Sequence, residues 1–195
     1  MDLDPQPRPG DRLALELDDY GILRHLWHNF GELAEGVYRS NQPAPGRLRR
    51  MTRRLGLKTV INLRGPQKHM PYWRLEKATA AELGLDHRDL QLHARKAASA
   101  SEYLAVIDAF RHAPRPLLFH CKSGADRAGM AAALYRLAIE GADIDTARAE
   151  LSLRWLHIRQ SATGVLDRTL DAFAASGETD IETWLRTAYD PRAVS

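Results

Sequence analysis

The sequence contains one cysteine among its 195 residues, so the chain cannot form an intramolecular disulfide. It also lacks an apolar run near the length of a membrane-spanning helix. Its first residues do not follow the basic-then-apolar layout of a secretory signal. A single reactive thiol is best kept reduced, so these absences predict a protein that works in the cytoplasm.

Long tracts of basic residues are absent as well. The 28 Lys and Arg residues exceed the 25 Asp and Glu residues by only three, and they are scattered along the chain. This distribution predicts a solvated basic surface and no nucleic-acid partner. A modest positive field of this kind attracts phosphorylated substrates. The histidines lack the spacing of metal ligands, so we expect neither a metal nor another cofactor.

The length of the chain suits a single domain with a sizeable core. Residues 1–12 are rich in proline, and residues 13–34 carry apolar residues without a clean period, which leaves a short helix there open. We therefore divide the sequence into an N-terminal extension at residues 1–34, packed on the domain, and one domain at residues 35–195.

Short apolar runs alternate with helix-like segments through much of this domain. The predicted strands lie at residues 36–40, 58–64, 85–92 and 116–119, and the predicted helices at 48–55, 72–83, 101–110 and 128–140. Ser101 is the expected N-cap of the third helix. Helical segments alone follow residue 143. The pattern predicts an α/β fold with a central, mostly parallel sheet flanked by helices and a helical C-terminal cap.

The cysteine lies between an apolar strand and a helix, in the stretch His-Cys-Lys-Ser-Gly-Ala-Asp-Arg-Ala-Gly at residues 120–129. In such a loop, backbone N–H groups and the positive end of the helix dipole converge on one point, which suits a dianionic phosphate. The same field favours the nucleophilic thiolate of Cys121. The planar guanidinium of Arg127 can bind two phosphate oxygens at once. These features predict phosphoryl transfer through a phosphocysteine.

This stretch resembles the active-site signature of the cysteine-dependent protein tyrosine phosphatase superfamily, Cys-x5-Arg preceded by His and followed by a small residue and Gly. Segments at 36–43 and 57–64 match in the expected order, and the resemblance is closest to compact bacterial phosphatases of the dual-specificity type. It implies that Cys121 is the nucleophile and that His120 supports it. The residues implied to bind phosphate are Lys122, Ser123, Gly124, Ala125, Asp126 and Arg127.

The proton donor for the leaving oxygen has three candidates. The resemblance implies an Asp in the loop ahead of the signature, but residues 93–99 hold no carboxylate. Asp126 is the favoured candidate, because Cys-x-x-Gly-x-Asp-Arg is similar to the loop of bacterial phosphatases that also accept phosphoinositides. Its alternative role is to orient Arg127 or a backbone N–H. Asp89 is the second candidate, and a protonated His93 is the third.

Three further positions carry expectations. Ala128 stands where the resemblance implies Ser or Thr, a hydroxyl that assists departure of the sulfur, so the phosphocysteine is expected to accumulate. Arg64 ends a predicted strand and either lines the pocket or holds the turn that follows. His157, with its neighbours Arg154 and Arg159, either lines the rim of the cleft or, as we expect, lies at the surface.

The leading hypothesis is a protein tyrosine or dual-specificity phosphatase that acts on phosphate monoesters. Alternatives within the superfamily are a phosphoinositide or other phospholipid phosphatase and a binding module that recognises phosphate without hydrolysing it. A sulfur transferase of the rhodanese type is a further alternative, although its loop is usually shorter. The partner is thus a phosphorylated protein or a phospholipid, and the sequence does not specify the oligomeric state.

Overall fold

The computed structural model describes residues 6–17 and 27–195. The chain forms two compact units, each built from two stretches of sequence. The first, here the sheet unit, runs to Asp89 and also includes Pro114–Ser123. The second, here the helical unit, comprises Leu90–Ala113 and Gly124–Ser195.

The sheet unit contains a five-stranded sheet. Its strands are β1 (Gly31–Ala34), β2 (Val37–Asn41), β3 (Thr59–Asn62), β4 (Asp86–Asp89) and β5 (Leu117–Cys121). They lie in the order β1-β2-β5-β3-β4, with β1 antiparallel to β2 and all other neighbours parallel. The carboxyl ends of the four parallel strands therefore share one edge, where open α/β sheets bind their ligands.

Three helices of the sheet unit are described: α1 (Asp11–Leu17), α2 (Pro45–Leu55) and α3 (Pro71–Glu82). Proline begins α2 and α3, where its missing N–H costs no helical hydrogen bond. Fully buried apolar side chains of β3 and β5, Val60 and Leu118, pack in one cluster with Leu48 of α2 and Ala80 of α3. This packing fixes the sheet beneath its helices.

The helical unit consists of α4 (Ala100–His112), α5 (Asp126–Ala138), α6 (Ile144–Arg148), α7 (Val165–Ser176) and α8 (Ile181–Thr187). Two 3-10 turns, Leu153–Trp155 and Ala162–Gly164, lie between α6 and α7. Ser99 is the N-cap of α4 and forms a reciprocal capping box with Glu102. The prediction of Ser101 as the cap was wrong, because only Ser99 has Glu three positions further on.

The predicted α/β fold with a mostly parallel sheet and a helical C-terminal part is confirmed. Strand β1 lies in the stretch assigned to the N-terminal extension, and residues 18–26 of that stretch lie outside the described residues. The boundary at residue 35 stays a prediction. No helix that the structure describes is long and apolar enough to cross a membrane.

Candidate active site

Cys121 is the last residue of β5, the central strand of the sheet. Polar residues lie opposite the end of this strand on both sides. Asn41 of β2 pairs with Cys121, and Asn62 of β3 pairs with His120. The thiol is buried, with 1% of the residue exposed. The parallel register thus places the predicted nucleophile at the carboxyl edge of the sheet.

The loop after Cys121 is anchored from the sheet unit. The Gln42 backbone N–H donates to the Lys122 carbonyl over 3.2 Å, and Asn29 Nδ2 donates to the Ser123 carbonyl over 3.1 Å. Gly124 follows with a φ of +78°, a conformation that suits glycine and turns the chain towards helix α5. The signature therefore has the predicted strand, loop and helix order.

Arg127 lies in the first turn of α5, at the positive end of a 13-residue helix. Its Nε is buried and has no hydrogen-bond partner among the residues that the structure describes. A buried guanidinium N–H is costly to leave unsatisfied, and a tetrahedral oxyanion satisfies it well. These two features, a helix N-terminus and an unsatisfied guanidinium N–H, are ones that suit an anion.

A buried glutamate supports the strand that carries the cysteine. Glu76 of α3 is 2% exposed, and its Oε2 lies 2.9 Å from Nε2 of His120. Its other oxygen lies 2.9 Å from Nε2 of His87 on β4. Gln42 Nε2 also donates to Oε2. One carboxylate is therefore shared by two histidines and an amide, and we call these four residues the sheet network.

The charge of this network follows from its partners. Burial alone would raise the pKa of Glu76, but the charges and hydrogen bonds of His120 and His87 lower it to about 2. Burial likewise lowers the pKa of His87, and the hydrogen bond to Glu76 outweighs it, so this pKa is raised. The favoured state is a carboxylate beside protonated imidazole.

Sequence reasoning missed Glu76 altogether. A signal was present, because Trp73, Glu76 and Ala80 stand at positions i, i+3 and i+7 and so share one face of α3. Trp73 and Ala80 are apolar, and both are buried. A charged residue inside an otherwise buried helical stripe is a candidate for a buried ion pair.

Arg64 lies at the turn after β3 and is 6% exposed. Its Nη1 donates to Gln42 Oε1 over 3.0 Å, and its guanidinium carbon lies 3.3 Å from the centre of the Tyr72 ring. Its backbone N–H donates to Asn62 Oδ1, and its carbonyl accepts from Gln67. These contacts correspond to the turn-holding role among the two alternatives.

Asp89 ends β4, and donors engage both of its carboxylate oxygens. Asn62 Nδ2 donates to Oδ1 over 2.7 Å, and Trp73 Nε1 lies 3.0 Å from Oδ1 and 2.9 Å from Oδ2. Both carboxylate oxygens of Asp89 therefore accept hydrogen bonds from side chains of the sheet unit, and its role as proton donor stays a prediction.

Asp126, the other candidate acid, is the first residue of α5 and is bonded to a buried histidine. Its Oδ1 lies 2.8 Å from Nδ1 of His157, and Nε2 of His157 lies 2.7 Å from Oδ2 of Asp167 on α7. His157 is 1% exposed, so the expectation that it lies at the surface was wrong. We call Asp126, His157 and Asp167 the helical network.

Both nitrogens of His157 face a carboxylate oxygen. Burial alone would lower the pKa of His157, but the hydrogen bonds to Asp126 and Asp167 outweigh it and raise this pKa above its usual value. A neutral imidazole carries one N–H, so it would satisfy only one of the two carboxylates. The network therefore favours a protonated ring. Arg154 and Arg159, by contrast, are exposed as expected.

His93, the third candidate acid, belongs to the helical unit, where its Nε2 lies 3.3 Å from Oε1 of Glu102. Ala128 is fully buried in α5. Gly129 follows it for a packing reason, since an added Cβ would lie 2.7 Å from Leu151 Cδ2 and 2.8 Å from the Glu150 carbonyl. No cluster of three or more His, Cys, Asp or Glu side chains within residues 6–17 and 27–195 could hold a metal ion.

Comparison with solved structures supports the fold. P. aeruginosa TpbA is 23% identical, with a TM-score of 0.62 over 83% of this chain and 90% of TpbA. The core catalytic domain of the PP-IP phosphatase SIW14 from S. cerevisiae is 16% identical, with a TM-score of 0.60 over 76% of this chain and 91% of that domain. PTPMT1 is 15% identical, with a TM-score of 0.56 over 76% of this chain and 99% of PTPMT1.

Comparison with curated protein sequences gives no significant match. The family model described as "Tyrosine phosphatase family", however, matches residues 33–176, which include the signature loop, the partners of both histidine networks and most of the two units. The chain therefore belongs to the tyrosine phosphatase family and is a cysteine-dependent phosphatase.

Proposed function

We propose that the protein hydrolyses phosphate monoesters through a phosphocysteine on Cys121. The observation that carries this proposal is the signature loop itself. A buried thiol ends the central strand, and an N-terminal helical turn with the unsatisfied Nε of Arg127 follows. A phosphate bound there supplies the acceptor that this N–H lacks and lies on the helix dipole.

The reaction has two steps. In the first, the Cys121 thiolate attacks phosphorus, a P–S bond forms, and the ester P–O bond breaks as the leaving oxygen takes a proton. In the second, water attacks phosphorus, the P–S bond breaks, and the thiolate and inorganic phosphate are released while the water gives up a proton. Arg127 and the helix N-terminus stabilise the charge on the transferred group throughout.

Asp126 is the proposed proton donor, and the helical network supplies the proton. With His157 protonated, the ring donates to both Asp126 and Asp167. Transfer of the Nδ1 proton to Asp126 leaves a neutral ring whose Nε2–H still donates to Asp167. Both states hold the same number of protons, so Asp126 can give one to the leaving oxygen and recover one from the attacking water.

The substrate class has two candidates. TpbA, which shares this fold, has been solved in complex with pTyr, and that complex supports a phosphoprotein substrate of the tyrosine or dual-specificity type. The second candidate is phosphate on a lipid head group, which is favoured by the exposed apolar side chains of residues 153–159. The thiol chemistry further supports a reducing compartment such as the cytoplasm.

The first test is hydrolysis of p-nitrophenyl phosphate and of an alkyl phosphate by the wild type and three variants. We expect Cys121→Ser to abolish turnover of both compounds. Asp126→Asn is expected to lose about 10²–10⁴-fold on the alkyl ester, whose leaving group needs a proton, and far less on p-nitrophenyl phosphate. Asp89→Asn is the matched carboxylate control and should change the ratio between the two substrates little.

Other outcomes redirect the proposal. A loss on the alkyl ester with Asp89→Asn rather than Asp126→Asn would move the acid to the sheet edge. A wild type that binds vanadate but turns over neither compound would be a binding module, and the proposed reaction would be wrong.

Ala128 gives a second, kinetic test. A hydroxyl at this position is expected to assist departure of the sulfur, so the wild type should show a burst of p-nitrophenol followed by slow turnover. Ala128→Ser should accelerate the slow phase and shrink the burst. A wild-type time course without a burst would show that hydrolysis of the phosphocysteine is not slow.

A further inference from the structure

The stretch between α6 and α7 exposes large apolar side chains in an otherwise well-buried unit. Leu153 is 73% exposed, Leu156 is 54% exposed and Ile158 is 51% exposed. Elsewhere in the helical unit, the large apolar residues of α4, α5 and α7 are buried, as Phe110, Leu134 and Phe173 are, or partly buried, as Leu104 and Leu137 are.

This exposed stretch is held in a defined conformation. The His157 backbone N–H donates to the Ser152 carbonyl over 3.1 Å, and the Leu156 N–H donates to the Leu153 carbonyl over 2.9 Å. Leu156 has a φ of +62°, which is uncommon for a leucine and directs the chain back towards the buried His157. A hydrogen-bonded turn therefore exposes the apolar side chains, and the buried His157 holds this turn to the rest of the helical unit.

The charges of the same stretch have one sign. Between Glu150 and Asp167 the sequence holds two arginines and no carboxylate. Arg154 is exposed, and its guanidinium carbon lies 5.0 Å from the centre of the Trp155 ring. Arg159 is 55% exposed in its side chain and is oriented by Asp171. Exposed leucine and isoleucine, a half-buried tryptophan and exposed arginines are the composition of a segment that enters an anionic membrane interface.

The position of this stretch also connects it to the chemistry. His157 lies between Leu156 and Ile158 in sequence, and its ring is bonded to Asp126 of the signature loop. The tip of the turn and the proposed proton donor are thus joined through one buried side chain within the helical unit.

We propose that residues 153–159 form an interfacial loop, which inserts its apolar side chains into an anionic phospholipid membrane and brings the signature loop to phosphate on a lipid head group. The inference names the substrate class of the proposed phosphatase and rests on that function for the catalytic half. The membrane-binding half does not depend on catalysis, so the two can fail separately.

Membrane binding is tested by co-sedimentation of the full chain with vesicles. The probes are vesicles of phosphatidylcholine alone and vesicles of equal parts phosphatidylcholine and phosphatidylglycerol. We expect binding to the anionic vesicles, weakened by salt, and little binding to the neutral ones. The double variant Leu153→Ser/Ile158→Ser should bind the anionic vesicles on the order of tenfold to a hundredfold more weakly.

Two matched control variants distinguish vesicle binding by the interfacial loop from nonspecific binding by exposed apolar or basic residues. Leu13→Ser removes an apolar side chain that is 64% exposed on α1 and should leave vesicle binding unchanged. Arg154→Gln should weaken binding to anionic vesicles a few-fold and reduce its salt dependence. Arg192→Gln, which removes a 91% exposed arginine side chain elsewhere, should do neither.

Activity then links binding to substrate. The Leu153→Ser/Ile158→Ser variant should hydrolyse soluble p-nitrophenyl phosphate at the wild-type rate but lose activity on a phosphoinositide presented in anionic vesicles. If the wild type does not hydrolyse p-nitrophenyl phosphate, the proposed function is refuted. The result on vesicle binding is not affected. Absence of vesicle binding, or equal binding by the double variant, would overturn the interfacial loop. Selective loss of activity on a phosphopeptide in that variant would assign the loop to a protein partner instead.

Discussion

The two histidine networks of this protein are opposites in composition. In the sheet network one carboxylate, Glu76, lies between two histidines, His120 and His87. In the helical network one histidine, His157, lies between two carboxylates, Asp126 and Asp167. The central residue of each is buried, and each network is adjacent in sequence to one end of the signature loop, since His120 precedes Cys121 and Asp126 precedes Arg127.

This difference in composition indicates that the two networks have different roles. Glu76, whose pKa is lowered, has no proton to give, and it bonds to His120, the residue before Cys121. A histidine shared by two carboxylates holds a proton that can move to either one. The sheet network therefore positions the strand that carries Cys121, and the helical network suits the proposed proton transfer.

The substitution with the largest expected effect is Glu76→Gln in the sheet network. This substitution leaves two buried histidines without their anion, and breaking a buried ion pair typically costs about 3–5 kcal/mol. We expect a loss of that order in the free energy of unfolding, measured in urea at pH 6. Glu82→Gln on the same helix removes an exposed partner of Arg49 and should leave the unfolding midpoint nearly unchanged. Equal midpoints for the two variants would contradict the proposed charge state of the sheet network.

Asp167→Asn breaks the other network more mildly. The amide oxygen can still accept from His157 Nε2, so the geometry is kept while one anion is lost. We expect a cost of about 1–3 kcal/mol in unfolding free energy, because a charged hydrogen bond becomes a neutral one. The pKa of His157 should fall towards its usual value, and the alkaline limb of the pH–rate profile should move to lower pH.

Asp171→Asn is the control for this variant, since Asp171 binds the half-buried Arg148 and the exposed Arg159 rather than His157. It should leave the pH–rate profile in place. A profile that does not move with Asp167→Asn would show that His157 is structural and does not hold the transferred proton.

The smallest expected effect is the pH dependence of stability. One experiment of this kind reports on both networks. The pKa of Glu76 is lowered from 4.5 to about 2, so its contribution is present above pH 4.5 and is lost as the pH falls towards 2. The pKa values of His87 and His157 are raised from 6.5, so their contributions are complete below pH 6.5 and are lost as the pH rises through the folded values.

Urea unfolding midpoints should therefore be highest between about pH 5 and pH 6.5. His87→Gln and His157→Gln should each flatten part of the alkaline decline, one for each network. A midpoint that is flat from pH 6 to pH 9 in the wild type would argue that the histidines are neutral in the folded state.

The sequence predicted those parts of the molecule that depend on neighbouring residues. Apolar runs and turn residues located β3, β5 and the helices beside them, and the spacing from Cys121 to Arg127 located the signature loop. What these elements have in common is a local pattern, either a period or a motif. Local patterns are sufficient where burial follows hydrophobicity.

Prediction from sequence failed where burial and hydrophobicity are reversed. Glu76 and His157 are polar yet buried, because each has partners that are distant in sequence and only the fold brings together. Leu153 and Leu156 are apolar yet exposed. Such reversals violate the rules that make a sequence fold, and they concentrate at sites that serve a function.

The backbone at position 156 has a consequence for engineering this protein. A left-handed conformation costs a leucine roughly 1–2 kcal/mol, a strain that glycine does not experience. Leu156→Gly should therefore cost little stability or even add to it, and a screen that selects only for thermal resistance would favour it. The same screen would remove a side chain from the proposed membrane contact, so improving the durability of this protein and keeping its activity at a lipid surface are opposing goals at this one residue.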